Sequence, residues 1–219
     1  VWRTGHTGPR KRLAWRVPTL VVHDNVVLCA DRRETSGPDI DEGTGKKIAG
    51  WLANAGAPGD LTAYAADSGQ VLWSCKCAES YYTPVDVFVN EGMVWVGESR
   101  PRQGPDFTVG RDLLTGEIKH RIDTGKAFQT TMPHHRCHRN RATSRYLVTG
   151  RTGVEFIDFE TGDSFRHHWA RGVCRFGVIP CNGLLYTPPH SCACFIEAKL
   201  IGFNALAPAS PTRELPARI

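Results

Sequence analysis

A turn motif recurs at a nearly constant interval and constrains the fold of this chain more than any other feature. Its three copies end at Gly69, Gly116 and Gly162, which are 47 and 46 residues apart in a chain of 219. Short β-rich runs flank each copy, and helical periodicity is weak throughout. A period of about 40–50 residues with four short strands per unit is typical of propeller blades, because one four-stranded sheet cannot bury both of its faces alone.

Apolar hairpins precede the motif copies. Their turns lie at residues 23–25, 90–92 and 181–183, and a weaker hairpin pairs a polar run near Cys137 with residues 145–149. Asn and Gly tolerate the positive φ that tight hairpins need. The sequence therefore predicts an all-β chain of four-stranded antiparallel sheets.

The pattern A-x-D-x-x-T-G-x-x-x-W in these units resembles the repeat of pyrroloquinoline-quinone (PQQ) type β-propellers. Asp112, Asp158 and Trp73 match it, whereas Ala65, His120 and Arg166 depart from it. The resemblance covers residues 17–207. Segments 134–137, 171–174 and 188–194 look like a PQQ-like propeller group common in planctomycete-type bacteria. This resemblance implies a fold and carries over no activity.

We predict a partial propeller over residues 1–207 and a Pro-rich tail over 208–219. The four blades are expected at about 17–73, 84–120, 135–167 and 176–207, as part of a larger ring of seven or eight blades. Residues 12–17 are expected to form the outer strand of a preceding blade. Residues 34–60, rich in Gly and Pro, are expected to form a loop inserted in the first blade.

Blade topology predicts which residues share a face. When four antiparallel strands run from the axis outward, the connections between blades and the loops between second and third strands emerge on one side. We call this side the loop face. Six of the eight cysteines, including Cys75 and Cys77, are expected there, together with most of the histidines. The candidate binding residues are His134, His135, Cys137, His138, Arg171, Cys174, Arg175, His190, Cys192 and Cys194.

Three chemistries remain open for these residues, besides the alternative that the cysteines are free, inert thiols. Disulfides would staple long loops and would fit an oxidising compartment. A zinc or copper site would use His190, Cys192 and Cys194, whose i, i+2, i+4 spacing puts them on one side of an extended strand. A PQQ cofactor has less support, because neither a vicinal cysteine pair nor a convincing calcium-binding set is found in the sequence.

The resulting functional hypothesis is a scaffold, not catalytic by itself, that binds a protein partner or a small ligand through the loop face. Arg171 and Arg175, on either side of Cys174, could donate hydrogen bonds to an anion. The alternative is a metal-dependent or quinoprotein-type oxidoreductase that uses the same face. The remainder of a longer propeller chain is a further expected partner.

Other partners are not expected. The net charge of +5 comes from scattered arginines without an aromatic platform for bases, so no nucleic acid is predicted. No apolar run is long enough for a membrane span. The even cysteine count suggests a periplasmic or otherwise extracytoplasmic location.

Overall fold

The computed structural model describes residues 1–3, 17–32, 58–78, 84–100, 104–128, 139–150, 153–189, 200–210 and 212. Strands dominate these residues, and the single helix described, α1 (Gly125–Phe128), is one turn long. The strands form four successive antiparallel sheets and one small hairpin.

The first and second sheets each contain four main strands. Sheet 1 consists of β1 (Thr19–His23), β2 (Val26–Arg32), β3 (Pro58–Ala65) and β4 (Val71–Ala78). Sheet 2 begins with β5 (Val87–Asn90) and β6 (Met93–Val96). The hairpin of β7 (Glu98–Arg100) and β8 (Gly104–Asp106) follows. The sheet is completed by β9 (Val109–Asp112) and β10 (Ile118–Arg121).

The third and fourth sheets follow the same order. Sheet 3 consists of β11 (Arg141–Ala142), β12 (Tyr146–Thr149), β13 (Val154–Asp158) and β14 (Ser164–His167). Sheet 4 contains β15 (Ile179–Cys181), β16 (Leu184–Thr187) and β17 (Asn204–Leu206), and has three strands within the described residues. Within each sheet, sequence neighbours pair antiparallel, so the predicted all-β fold of blade-like sheets is confirmed.

The predicted hairpin turns form for the expected stereochemical reason. Asp24 and Asn25 join β1 to β2 with φ of 42° and 61°, and Asn182 and Gly183 join β15 to β16 with φ of 52° and 71°. Two successive residues of positive φ twist a two-residue loop in the same sense as its strands. These turns fix the register of each inner pair.

Apolar contacts between neighbouring sheets form the core. One buried cluster joins Leu28 and Leu61 of sheet 1 to Val94 and Val96 of sheet 2. A second joins sheets 2 and 3, and a third joins sheets 3 and 4. Sheets 2 and 3 therefore each pack by one face against the preceding sheet and by the other against the following sheet, which is the packing expected of propeller blades.

The repeated motif builds a tight corner between the third and fourth strands. In sheet 2 the N–H groups of Leu114 and Thr115 donate to Asp112 Oδ1 at 3.0 and 2.9 Å. In sheet 3 the corresponding N–H groups donate to Asp158 Oδ1. Ala65 stands at the same place in sheet 1, where the backbone makes the same turn without a side-chain acceptor.

Each corner receives a side chain from elsewhere in the chain. The indole N–H of Trp73, at the outer strand of sheet 1, donates to the carbonyl of Leu113 in the corner of sheet 2 at 2.9 Å. His120 of sheet 2 lies with Nε2 2.7 Å from the carbonyl of Glu160 in the corner of sheet 3. Trp2 donates to the carbonyl of Ala66 in the corner of sheet 1 at 2.8 Å.

One expectation about strand placement needs correction. Cys75 and Cys77 were expected in a connection on the loop face, but β4 continues to Ala78 and includes both residues. They pair with β3, and Cys77 is buried in the core between sheets 1 and 2. Five residues after Trp73 therefore extend the strand, because their alternate side chains face an apolar neighbour.

The outer strand expected over residues 12–17, before β1, stays a prediction for all but its last residue. Residues 12–16 lie outside the described residues, and Val17 is exposed and not in a strand. Trp2 instead makes the contact that an outer strand makes at the other corners. Most of the predicted inserted loop, residues 34–57, also lies outside the described residues, and its last three residues, 58–60, belong to β3 and not to a loop.

Candidate functional site

Hydrogen bonds link the starts of the four inner strands on the loop face. The hydroxyl of Thr19, the first residue of β1, donates to the carbonyl of Val85, just before β5. The N–H of Asn140 donates to Asp86 Oδ2 at 3.1 Å, which joins the starts of sheets 3 and 2. The relay runs from sheet to sheet and gives this part of the loop face a defined geometry.

Asp86 is the buried carboxylate of this relay. Its Oδ1 lies 3.3 Å from Nε of Arg139, and its side chain is almost inaccessible to solvent. Burial raises the pKa of Asp86 to about 6, although Arg139, the N–H of Asn140 and the charge of Arg141 act in the opposite direction. Removal from water disfavours the charged carboxylate more than these partners favour it. Asp86 is thus a titratable group within the loop face.

Arg141 continues the relay from sheet 3 to sheet 4. Its Nη1 donates to the carbonyl of Asn140 at 3.0 Å, and its Nη2 donates to the carbonyl of Phe176 at 2.8 Å. Burial lowers the pKa of Arg141, but an arginine remains charged. The guanidinium therefore fixes the backbone of Phe176 relative to sheet 3.

The segment before β15 folds into a tight turn that we call the 173–177 turn. Val173 and Gly177 form an isolated antiparallel bridge, and the N–H of Gly177 donates to the carbonyl of Val173 at 2.8 Å. Arg175 and Gly177 have φ of 73° and 71°. A Cβ at Gly177 would collide with the carbonyl of Arg139, so only glycine permits this approach to sheet 3.

The tip of the 173–177 turn presents side chains to solvent. Phe176 is 66% exposed, and Arg175 beside it is also exposed. An aromatic ring and a guanidinium are the side chains most enriched at protein-binding hot spots. The turn is therefore an anchored loop whose most prominent groups suit contact with another molecule.

Three of the predicted binding residues lie in this region, and their environments differ. Arg171 is fully buried, Cys174 is half-buried, and Arg175 is exposed. Arg171 and Arg175 therefore do not both present exposed guanidinium groups beside Cys174. The other predicted residues, His134, His135, Cys137, His138, His190, Cys192 and Cys194, lie outside the described residues.

Sequence reasoning missed the buried polar groups of the loop face. Asp86 and Asn140 were not singled out, and neither was Glu155. Glu155 accepts a hydrogen bond from Thr149 Oγ1 at 3.1 Å and lies 3.4 Å from Nε of Arg166. The available signal was position, since these polar residues stand at strand ends that the repeat assigns to one face.

The opposite face carries a groove of about 790 Å³ between sheets 2 and 3. Its lining includes Asn90, His120, Arg145, Asp158 and Glu160, none of which the sequence predicted as a site. Nε of Arg145 donates to Asp158 Oδ2 at 2.9 Å, and this hydrogen bond lowers the pKa of Asp158. The groove is thus lined by side chains that also hold the corner of sheet 3 together.

Metal and disulfide chemistry stay predictions. Among the residues that the structure describes, no three His, Cys, Asp or Glu side chains are grouped to hold a metal ion. No disulfide joins any two of the five cysteines in those residues. The predicted ligands His190, Cys192 and Cys194 fall outside that part of the chain.

No helix in the described part of the chain is both long enough and apolar enough to cross a membrane.

Known proteins resemble this chain only weakly. No family model matches the sequence, and no curated protein matches it. The solved structure of the computationally designed Ika4 protein is similar with a TM-score of 0.46 and 11% identity, over 93% of this chain and 99% of that one. The crystal structure of BamB from Moraxella catarrhalis is similar with a TM-score of 0.39 and 16% identity, over 82% of this chain and 56% of that one.

The computationally designed Ika8 protein is similar with a TM-score of 0.36 and 14% identity, over 76% of this chain and 53% of that one. The chain thus spans little more than half the length of BamB and of Ika8. At such scores these likenesses assign neither fold nor function, and the fold rests on the four sheets themselves.

Proposed function

We propose that this protein is a propeller-type scaffold that binds another protein through the loop face, with the 173–177 turn as a principal contact. The observation that carries the proposal is the combination of a fixed backbone and an exposed tip. The carbonyl of Phe176 is held by Arg141 at 2.8 Å, while the side chain of Phe176 is 66% exposed.

The physical support is that an anchored loop loses little conformational freedom when it binds. Ordering a flexible side chain or loop at an interface opposes association, so a preorganised contact favours it. The bridge between Val173 and Gly177 and the bond from Arg141 supply this order before any partner arrives. Arg141 ties the turn to sheet 3, and the hydrogen bond from Asn140 to Asp86 ties sheet 3 to sheet 2.

A comparison of tagged variants tests the proposal. Wild-type protein, Phe176→Ala and Leu114→Ala would each be used to capture partners from an extract of the source organism, with bound proteins identified by mass spectrometry. Leu114 is a matched control because it is also an exposed apolar residue but lies at a corner on the opposite face. We expect a partner that wild type and Leu114→Ala retain and Phe176→Ala loses; equal retention by all three would contradict the proposal.

The affinity of an identified partner can then be measured by calorimetry. Truncation of an aromatic hot-spot residue typically weakens binding by about 2 kcal/mol or more. Zinc and copper content, measured on the same preparations, would show whether the loop face also holds a metal. A stoichiometric metal that is lost in a His190→Ala, Cys192→Ser, Cys194→Ser variant would favour the oxidoreductase alternative.

A further inference from the structure

Sheet 1 has an apolar face that no other sheet of the described residues covers. Its exposed members on β1 are Leu20 and Val22, which are 66% and 69% exposed. Val21, between them, packs instead into the core shared with sheet 2. Alternate residues of a strand point to opposite faces, so Leu20 and Val22 lie on the face directed away from sheet 2.

The same positions in sheet 2 show what this face normally contacts. Leu20 pairs with Cys29 and Val22 with Val27, as Val87 pairs with Val96 and Val89 with Val94 in sheet 2. The four valines of sheet 2 pack in the cluster shared with sheet 1. The exposed face of sheet 1 therefore corresponds to the face by which sheet 2 packs against the sheet before it.

Sheet 4 has the complementary uncovered face. Ile179 is 48% exposed and Phe203 is 65% exposed, and Tyr186 lies between them with its ring centroid 6.0 Å from that of Phe203. Tyr186 occupies the register position of Leu28, which is fully buried where sheet 1 meets sheet 2. This face of sheet 4 is therefore the one by which a sheet contacts its successor.

In the corner of sheet 1, Trp2 fills the position that a side chain of the preceding sheet fills in the corner of sheet 2. A Cβ at Gly69 would lie 2.5 Å from Cδ2 of Trp2, just as a Cβ at Gly116 would lie 2.6 Å from Cδ2 of Trp73. Trp73 belongs to the outer strand of the preceding sheet. Trp2 thus takes the place of an outer-strand residue, and sheet 4 has no outer strand among the described residues.

We propose that two copies of this chain pack head to tail, with sheet 4 of each copy against sheet 1 of the other. Both faces are exposed within one copy, so the four sheets do not cover them for each other. Propellers contain about four to eight blades, so a ring of two copies, counted by the four sheets described in each, stays within that range, whereas three copies would exceed it. A head-to-tail contact that closes gives a ring in place of an open filament.

The contact would repeat an interface that the chain already makes three times, between sheets 1 and 2, 2 and 3, and 3 and 4. Both surfaces are apolar, and an uncovered apolar patch of this kind is characteristic of an interface between proteins. This inference is independent of the proposed function of the loop face, because it uses the side faces of the two terminal sheets.

Light scattering coupled to size-exclusion chromatography tests the proposal on the 219-residue chain. One copy has a mass of 24.2 kDa, and we expect twice that mass for wild type. Val22→Glu and Phe203→Glu should each give the mass of one copy, with a dissociation constant raised roughly tenfold or more because each places a charge in an apolar contact. Leu114→Glu, an exposed apolar residue away from both faces, should keep the wild-type mass.

Two results would overturn the proposal. Wild type with the mass of one copy at all concentrations would exclude self-association and leave both faces for other sheets. A dimer broken by only one of Val22→Glu and Phe203→Glu would exclude the head-to-tail arrangement. Circular dichroism of each variant checks that its sheets remain folded, which is expected since Val22 and Phe203 are solvent-exposed in one copy.

Discussion

The indole nitrogen of Trp73 donates a hydrogen bond of 2.9 Å to the backbone carbonyl of Leu113, and the two residues belong to neighbouring sheets. The ring of Trp73 also covers Gly116 in the same corner. One side chain thus ties the outer edge of sheet 1 to the turn of sheet 2. This contact stabilises the interface at the position farthest from the inner strands.

Replacing Trp73 should destabilise the chain in two steps. Trp73→Phe keeps a ring but leaves the buried carbonyl of Leu113 without its donor, which should cost about 1–3 kcal/mol of unfolding free energy. Trp73→Ala should cost about 3–5 kcal/mol, because it also leaves a cavity. Chemical denaturation measures both, with Leu114→Ala as an exposed control. Equal stability of Trp73→Phe and wild type would show that the hydrogen bond contributes nothing.

Two glycines with the same backbone conformation allow a matched test of the corner. Gly92 and Gly116 both have φ of 72°, but a Cβ at Gly92 would meet nothing within 4 Å, whereas at Gly116 it would meet the ring of Trp73. Gly92→Ala should cost about 1–2 kcal/mol for the left-handed conformation. Gly116→Ala should cost about 1–3 kcal/mol more because of overpacking. Similar denaturation midpoints for the two variants would contradict the close packing of Trp73.

The repeat in the sequence predicted the fold well because the corner is a local structure. Asp112 and Asp158 accept N–H groups only two and three residues ahead, so the motif that marks the turn also builds it. The hairpin turns are local in the same way. The strand end at Ala78 was missed because it depends on packing against sheet 2, which no short-range pattern specifies.

Sheet 1 offers a position where the motif can be completed. Ala65 stands where Asp112 and Asp158 stand, and the turn after it has the same backbone hydrogen bonds. An aspartate there would meet the N–H groups of Asp67 and Ser68. We therefore expect Ala65→Asp to raise the denaturation midpoint at pH 7, and Asp112→Ala to lower it by a comparable amount.

The pH dependence identifies the cause of that gain. The N–H of Thr115 is the main reason that the pKa of Asp112 is lowered, so its contribution is present above the unfolded pKa and is lost as the pH falls. The advantage of Ala65→Asp over wild type should disappear in the same way in acid. An advantage that persists at pH 2 would mean that the carboxylate does not act as the acceptor.

The candidate site was less predictable than the fold. The topology correctly assigns residues such as Cys174 and Arg175 to a connection between sheets, but it does not specify burial. Arg171 was expected to donate hydrogen bonds to an anion, but its side chain is fully buried. Asp86 was missed since no short-range pattern links it to Asn140, which follows 54 residues later.

Asp86 should make stability depend on pH in the opposite sense to an ordinary surface carboxylate. Its pKa is raised to about 6 in the folded chain, against 3.8 for an unperturbed aspartate, chiefly because burial disfavours the charge. The folded state therefore binds the proton more tightly than the unfolded state between pH 4 and 6. Stability from this group is present below pH 4 and is lost as the pH rises through 6.

The Asp86→Asn variant removes this titratable carboxyl group, so its comparison with wild type measures how much Asp86 contributes to the pH dependence of stability. The unfolding free energy of the variant, relative to wild type, should rise by about 2 kcal/mol between pH 4 and pH 7, since each pKa unit corresponds to about 1.4 kcal/mol and part of the effect lies below pH 4. Urea denaturation at a series of pH values measures the difference. Leu114→Ala, which replaces an exposed corner residue that carries no titratable group, is the control and should run parallel to wild type over this range. A parallel profile for Asp86→Asn as well would mean that Arg139 and Asn140 compensate fully for the burial of the charge.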